Sequence, residues 1–467
     1  MGHTVGARGI TDKGSDAPLG RGADSSVDRR PSPDRRPSPE RNLASAFVPA
    51  FLYDTGDTAA MYVLGRDSDS DDGSGSDDGS GSDGGGGSDD GGGQPGSNGD
   101  GDGVRPPTVR LGSFLARDGG SAGAEVGLDA DGPHAGVVFG KRGTGKSYTL
   151  GVLAEGLAAA RGVAPVVVDP MGVFDGLRAA GGRVVEPRVR PAAIPPEAWP
   201  DLLGLDPASG PGSLVWRAVA DALDASDTAA AREDSERSGD SPSIAALRER
   251  VTDADAPAAD RRAAANHLRL AASWDVFDAD ASPVARLAGD GAPTVLDLAG
   301  TPEAAAAAVV RAVGRGLYDA RIDGDLGRLP WLLVDEAHTF FGGVADPALR
   351  TLLTRGRAPG VSLVCATQRP GALPSVAVSQ SDLLVAHRLT AERDLDRLAE
   401  AEATYLSGDL ASRLPTETGE AMVVDDATET AHTVRVRERR TPHGGGSPRA
   451  SGTAAATDGG AKSEDPR

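Results

Sequence analysis

HAGVVFGKRGTGKSYTLGVLAEGLAAA, residues 134–160, is the stretch that decides the fold. Gly136–Phe139 is a short apolar run of the kind that makes a buried strand. GKRGTGKS, Gly140 to Ser147, then satisfies G-x-x-x-x-G-K-[ST], and an alanine-rich helical run follows. Strand, glycine-rich turn and helix in that order build an anion cradle. The glycines let the backbone curl, so that its N–H groups face phosphate oxygens at a helix N-terminus. The expected nucleotide-binding residues are Gly140, Lys141, Arg142, Gly143, Thr144, Gly145, Lys146, Ser147 and Tyr148. Lys146 reaches the β- and γ-phosphates and Ser147 supplies a hydroxyl to Mg2+, so the expected cofactors are ATP and Mg2+. Lysine is rare in the chain: of 48 Lys+Arg only Lys13, Lys141, Lys146 and Lys462 are lysine. Two of the four fall inside this loop, which makes an incidental surface lysine a poor account of Lys146.

Two further segments carry chemistry. In WLLVDEAHTFF, Trp331 to Phe341, four apolar residues lead a buried strand to its carboxyl end, where Asp335 and Glu336 emerge. Ligands of open α/β sheets bind outside those strand ends. Asp335 is the expected Mg2+ partner beside Ser147, and Glu336 the group that polarises the attacking water. In VSLVCATQRP, Val361 to Pro370, another buried strand ends in Thr367 and Gln368. Gln368 is placed to sense the γ-phosphate and report its loss. His338 completes a DEAH string like that of some helicases, but a tetrapeptide does not decide helicase activity.

Outward from these motifs, short Val- and Leu-rich runs alternate with helical stretches, the rhythm of a mainly parallel sheet. Expected strands are Gly136–Phe139, Val166–Val168, Thr294–Leu298, Trp331–Val334, Val361–Cys365 and Leu383–Ala386. Thr301 is the expected cap of a helix with Pro302 at its first position. Between about 200 and 290 the alternation breaks into helical runs, Leu214–Leu223, Ile244–Val251 and Ala259–Trp274, read as an inserted helical subdomain.

Residues 1–104 predict disorder, with an Asp/Ser/Gly tract from Asp67 to Gly103 that buries too little to offset ordering entropy. Within it, an apolar island at 43–65 reads as a segment docked on the main domain, the competing reading being a tethered partner-binding peptide. The ATPase domain is expected over 105–445 and a disordered tail over 446–467. One cysteine, Cys365, excludes an intrachain disulfide, and no run is long and apolar enough to span a bilayer. A cytoplasmic protein without a membrane partner is expected. The formal charge is −21, from 69 acids against 48 bases, which argues weakly against a simple basic-surface nucleic-acid binder. Many aspartates, few lysines and abundant alanine and arginine also resemble proteins of salt-in halophiles, whose charge reflects the solvent.

The motifs together resemble the HerA/FtsK superfamily of P-loop ATPases, HerA-like proteins in particular. VVVDPMGVF (166–174) resembles the family's strand ending in Asp-Pro-x-Gly, although Met171 and Val173 depart from the residue types usual there. LLTRGRAPGVSLVCATQRP (352–370), SVAVSQSDLLVAHRLT (375–390) and TVRVRERRTPHGG (433–445) resemble the later strands and tail. The resemblance implies a RecA-like core over about 105–445, a homohexameric ring, and ATP-driven work on double-stranded DNA beside a nuclease. It also implies that Arg357 reaches into a neighbouring subunit's site, with Arg355 as the competing candidate, and marks Asp169 as a strand-end acid. The family's N-terminal β-barrel has an Asp/Ser/Gly linker in its place. The Val/Arg alternation of VRVRERR gives a cationic strand face that either touches phosphates or pairs with acidic neighbours. Two other readings stand beside the motor: an ATP-binding regulatory or scaffold protein, and a P-loop kinase, which the Asp-Glu pair disfavours.

Overall fold

The computed structural model describes residues 61–65, 106–115, 122–230, 241–389, 414–425 and 430–445. The expectations of disorder at the two ends lie outside these residues, as does the apolar island apart from Met61–Gly65.

Seven strands form a parallel sheet. They are β4 (Ala135–Phe139), β5 (Val163–Asp169), β6 (Arg183–Val185), β7 (Thr294–Asp297), β8 (Leu329–Val334), β9 (Ser362–Thr367) and β10 (Leu383–Ala386). Their spatial order is β10-β4-β9-β8-β5-β7-β6. Residue alternation sorts their side chains onto two faces. Val137, Phe139, Leu332, Val334, Leu363 and Cys365 join one hydrophobic core, while Val138, Leu333, Val364 and Ala366 join the other. Burial on both faces explains why these strands read as continuous apolar runs. Burial pushes the Cys365 thiol up to about 12, so the lone cysteine is a small, inert core residue.

Helix α1 (Lys146–Ala159) packs on the second face through Leu150, Leu153 and Leu157. The first face is covered by α6 (Glu303–Ile322) and α7 (Asp346–Arg355). Between β6 and β7 lie α2 (Trp199–Leu202), α3 (Gly210–Ala230), α4 (Ile244–Asp253) and α5 (Ala258–Ser273). Ser243 caps α4, its hydroxyl accepting from Ala246 N at 3.1 Å. Leu214, Val219, Leu247, Val251 and Leu268 from these helices merge into the first core.

One cap differs from expectation. Helix α6 begins at Glu303 with Pro302 as its N-cap, and Pro302 O accepts from Ala306 N. Thr301 belongs to the preceding turn, its N–H donating to Leu298 O, so its hydroxyl caps nothing.

Beyond β10 the sheet continues, and of the strands added there only β12 (Thr430–Val436) overlaps a stretch whose alternation reads as a strand, VRVRERR. β11 (Glu420–Asp425) and β12 add antiparallel, followed by β2 (Thr108–Leu115) and β3 (Ala122–Asp129). β1 (Tyr62–Leu64) pairs parallel with β3, and Leu64 is fully buried. α8 (Ser375–Ser379) precedes β10. Among the described residues, no helix is long and apolar enough to cross a membrane.

Candidate nucleotide site at the carboxyl edge of the sheet

Parallel strands deliver their carboxyl ends to one edge, and the motif residues follow β4, β5, β8 and β9 there. After β4 the chain enters the glycine-rich turn. Gly143 and Gly145 adopt φ of +77° and +124°, conformations that L side chains rarely adopt. A Cβ on Gly140 would sit 2.5 Å from Thr144 Oγ1, so the loop also needs glycine for space. The loop folds over the Lys141 carbonyl, which accepts from Thr144 Oγ1 at 2.8 Å and Lys146 Nζ at 3.0 Å. Arg142 is exposed on it. Burial pushes the Lys146 ammonium below the ordinary lysine value, against the pull of Glu336 and Asp335.

Ser147 Oγ donates to Asp335 Oδ2 at 2.7 Å. One hydroxyl and one carboxylate, facing a cavity of about 600 Å3 between phosphate loop and acids, suit Mg2+, which is held by few protein oxygens and completes its octahedron with water and phosphate. Burial pushes the Asp335 carboxyl above its usual range despite the hydrogen bond from Ser147. An added cation would reverse that push.

Glu336 has φ +46° and ψ +39°, left-handed backbone on a residue that is not glycine. Such strain costs roughly 1–3 kcal/mol and persists where the surroundings over-determine it. Glu336 lines the cavity, and its Oε2 is buried without a hydrogen-bond partner among the described residues. His338 Nδ1 stands 3.3 Å from that oxygen and 3.1 Å from Thr367 Oγ1 at the end of β9. Thr367 Oγ1 also accepts from Arg369 N. Burial, with Arg369 and Lys146 nearby, lowers the His338 pKa and keeps the imidazole neutral. His338 thus joins the acid of β8 to the end of β9, a role that its place in the DEAH string alone did not reveal.

Gln368 follows Thr367 with a partly exposed side chain, and among the described residues no hydrogen bond holds it. Asp169 closes the turn after β5, accepting from Met171 N at 3.2 Å and Phe174 N at 2.8 Å. That is the geometry of a strand-end cap. Arg357 stands apart from this cluster. It pairs with Asp382 at 2.7 Å, where Asp382 also accepts from Ala135 N and contacts His134 Nδ1. That is the amino edge of β4 and β10, opposite the phosphate loop, and the Arg357 side chain is 63% exposed. Arg355 ends α7 and is exposed.

Sequence reading missed His387, just beyond β10. Fully buried, it directs Nδ1–H to the Glu420 carbonyl at 2.8 Å, which leaves Nε2 to accept from Thr149 Oγ1 at 2.9 Å. Burial pushes its pKa down to about 4, so the ring is neutral. It lies beneath the phosphate loop, where a Cβ on Gly145 would come within 3.2 Å of its ring. No local spacing links positions 145, 387 and 420; only the sheet order brings them together.

Three of the four arginines of VRVRERR pair with acids through their side chains. Arg435 meets Glu420 at 3.1 Å, Arg437 meets Glu155 at 2.8 Å, and Arg439 approaches the same carboxylate at 3.5 Å.

A parallel sheet that gathers a phosphate loop, a paired hydroxyl and carboxylate, and a strained glutamate at its carboxyl edge defines a RecA-like P-loop NTPase fold. Residues 109–316 match the family described as helicase HerA, central domain. The fold is shared with VirB4 of Thermoanaerobacter pseudethanolicus, at a TM-score of 0.56 and 17% identity over 71% of this chain and 97% of that one. Plasmid coupling protein TrwB in complex with ADPNP aligns more loosely, at a TM-score of 0.47 and 17% identity over 72% of this chain and 95% of that one. No curated protein matches the chain. Over residues 109–316 the chain is thus similar to the HerA central domain, on a fold shared with P-loop ATPases.

Proposed function

We propose that the chain is a Mg2+-dependent ATPase that works as a HerA-like DNA translocase or helicase-type motor in the cytoplasm. The observation that carries hydrolysis is Glu336: a buried carboxylate oxygen with no hydrogen-bond partner among the described residues, on strained backbone, lining the same cavity as Lys146 and Ser147. An open acceptor there suits a water molecule, and the strain suits a side chain held for chemistry.

In this reading the loop N–H groups and Lys146 hold the β- and γ-phosphates. Ser147 and Asp335 would hold Mg2+, which would supply charge neutralisation at the phosphate oxygens. Glu336 takes a proton from water as the water oxygen bonds to the γ-phosphorus, and the bond to the β–γ bridging oxygen breaks to leave ADP and phosphate. Gln368, beside Thr367, senses loss of the γ-phosphate. Arg357, on the opposite edge from its own site, completes a neighbour's site in a homohexamer, where such an arginine is worth about 10³–10⁵ in rate. Similarity to the HerA central domain over residues 109–316 supports double-stranded DNA as the partner and a nuclease as companion. The acidic composition supports activity in molar salt. The Arg357–Asp382 pair favours the second reading, an ATP-binding regulatory or scaffold protein, because it occupies the arginine within its own chain.

The test is ATP hydrolysis by the full chain in molar KCl with and without duplex DNA. The motor predicts stimulation by DNA. Hydrolysis indifferent to DNA, from a chain that stays monomeric with ATP, supports the scaffold.

A further inference from the structure

We propose that the C-terminal strap Arg437–Gly445 builds the base-and-ribose end of the nucleotide site, with the Tyr148 and His443 rings as the surface on which the nucleobase packs. This rests on the reading of the cavity as an ATP site.

Leaving β12, the strap crosses the outer face of α1. Glu155, in the middle of that helix, is buried and receives it. Glu155 accepts from Arg437 Nη1 at 2.8 Å, Arg440 N at 3.1 Å, Thr441 N at 2.9 Å and Thr441 Oγ1 at 2.6 Å. Arg437 also donates to Val152 O at 3.0 Å and Arg110 O at 3.0 Å. Farther on, Gly444 N donates to Val173 O at 3.3 Å, in the turn after β5. The strap is thus pinned at both ends of its path.

Two glycines make room for it. Gly151 lies inside α1, where glycine costs about 1 kcal/mol relative to alanine. A Cβ there would come within 2.5 Å of the Arg439 guanidinium. A Cβ on Gly176 would collide with the Pro442 carbonyl. Helix and turn are therefore shaped to take this segment at backbone distance.

The strap also borders the cavity that holds the phosphate-loop residues. Glu438, His443 and Gly445 line it together with Tyr148, Lys146 and Asp335. Lys146, Ser147 and Asp335 fix the triphosphate end. The rest of a nucleotide extends away from the two acids, and the Tyr148 side of the cavity offers an aromatic wall. The Tyr148 hydroxyl accepts from Arg439 N at 2.6 Å, which fixes the phenol against the strap. His443 meets Tyr148 edge to face with ring centres 5.4 Å apart, and Arg439 lies 6.0 Å from the Tyr148 ring centre. Two rings braced by a buried guanidinium form a surface suited to a flat, uncharged base and not to an anion.

The experiment is equilibrium binding of ATP and of inorganic tripolyphosphate to the full chain, wild type against His443→Ala and Tyr148→Ala. Tripolyphosphate reads the phosphate loop alone. We expect each variant to weaken ATP about 10-fold, the scale of one base–aromatic stack, with tripolyphosphate within 2-fold of wild type. Glu155→Gln, which loosens the strap without touching either ring, is expected to weaken ATP in the same selective way. Equal loss of both ligands, or unchanged ATP affinity in the exposed His443→Ala variant, overturns the inference while leaving the nucleotide reading standing. A wild-type chain that binds neither ligand overturns both.

Discussion

At the residue scale the proposed chemistry rests on Glu336 and His338. A carboxylate whose Oε2 has no hydrogen-bond partner among the described residues can accept from water, yet it needs a fixed direction. The neighbouring His338 Nδ1, shared with Thr367, supplies a boundary on one side. His338→Ala should lower kcat about 10-fold or more while leaving the affinity for ATP near wild type, because the ring touches Glu336 and not the phosphate loop. Steady-state kinetics alongside direct ATP binding reads that split; a parallel loss of affinity would assign His338 to folding. Asp335 behaves differently. Burial raises its pKa above the ordinary 3.8, so its ionised form, the form that would hold the proposed cation, costs stability at neutral pH. Asp335→Asn should therefore melt about 1–3 °C higher than wild type without ligand and lose Mg2+-dependent hydrolysis. A lower melting temperature by calorimetry would contradict the assigned burial cost.

At the scale of elements, the strap and α1 act as one unit. Burial alone would raise the Glu155 pKa, but hydrogen bonds from Thr441, Arg437 and Arg440 outweigh it and hold the carboxyl below its ordinary 4.5. A depressed carboxyl contributes stability that is present above the unfolded value and is lost as pH falls through the folded one. Wild type should lose melting temperature below about pH 4.5 more steeply than Glu155→Gln, which starts lower at neutral pH. Matching pH profiles would mean that the strap is not held by this charge. The six central strands were legible because both their faces are buried, so each reads as an apolar block ended by turn residues. The phosphate loop was legible because its glycines, lysine and serine work within eight consecutive residues. Partners distant in sequence were not. Glu155 and Arg437 lie 282 positions apart, and His387 meets Thr149 across 238. Nor did β2, β3 and β11 announce themselves. The expected cap at Thr301 failed for a local reason, because the helix starts one residue later than the Thr-Pro pattern implied.

At the scale of the molecule, the proposed chemistry and the proposed assembly contact face opposite ways. The phosphate loop lies at the carboxyl edge of the sheet, and Arg357 at the amino edge with its side chain 63% exposed. If Arg357 serves a neighbour, Arg357→Ala and Glu336→Gln should each be inactive alone and partly active when mixed. Mixed protomers would then form sites with one intact arginine and one intact glutamate. No recovery in mixtures that still assemble would remove Arg357 from the neighbour's site. The charge of −21 leaves this account intact, because it coexists with a site whose own residues are suited to a polyanion.

The central claim is that Glu336 activates water in an ATP site built on the phosphate loop. Its most direct test compares ATP turnover by wild type and Glu336→Gln in molar KCl, with ATP binding measured on both. The account predicts wild-type turnover at least ~100-fold above the variant, the range of a positioned general base, with similar ATP affinity. Equal, slow turnover by two proteins that bind ATP alike would contradict it.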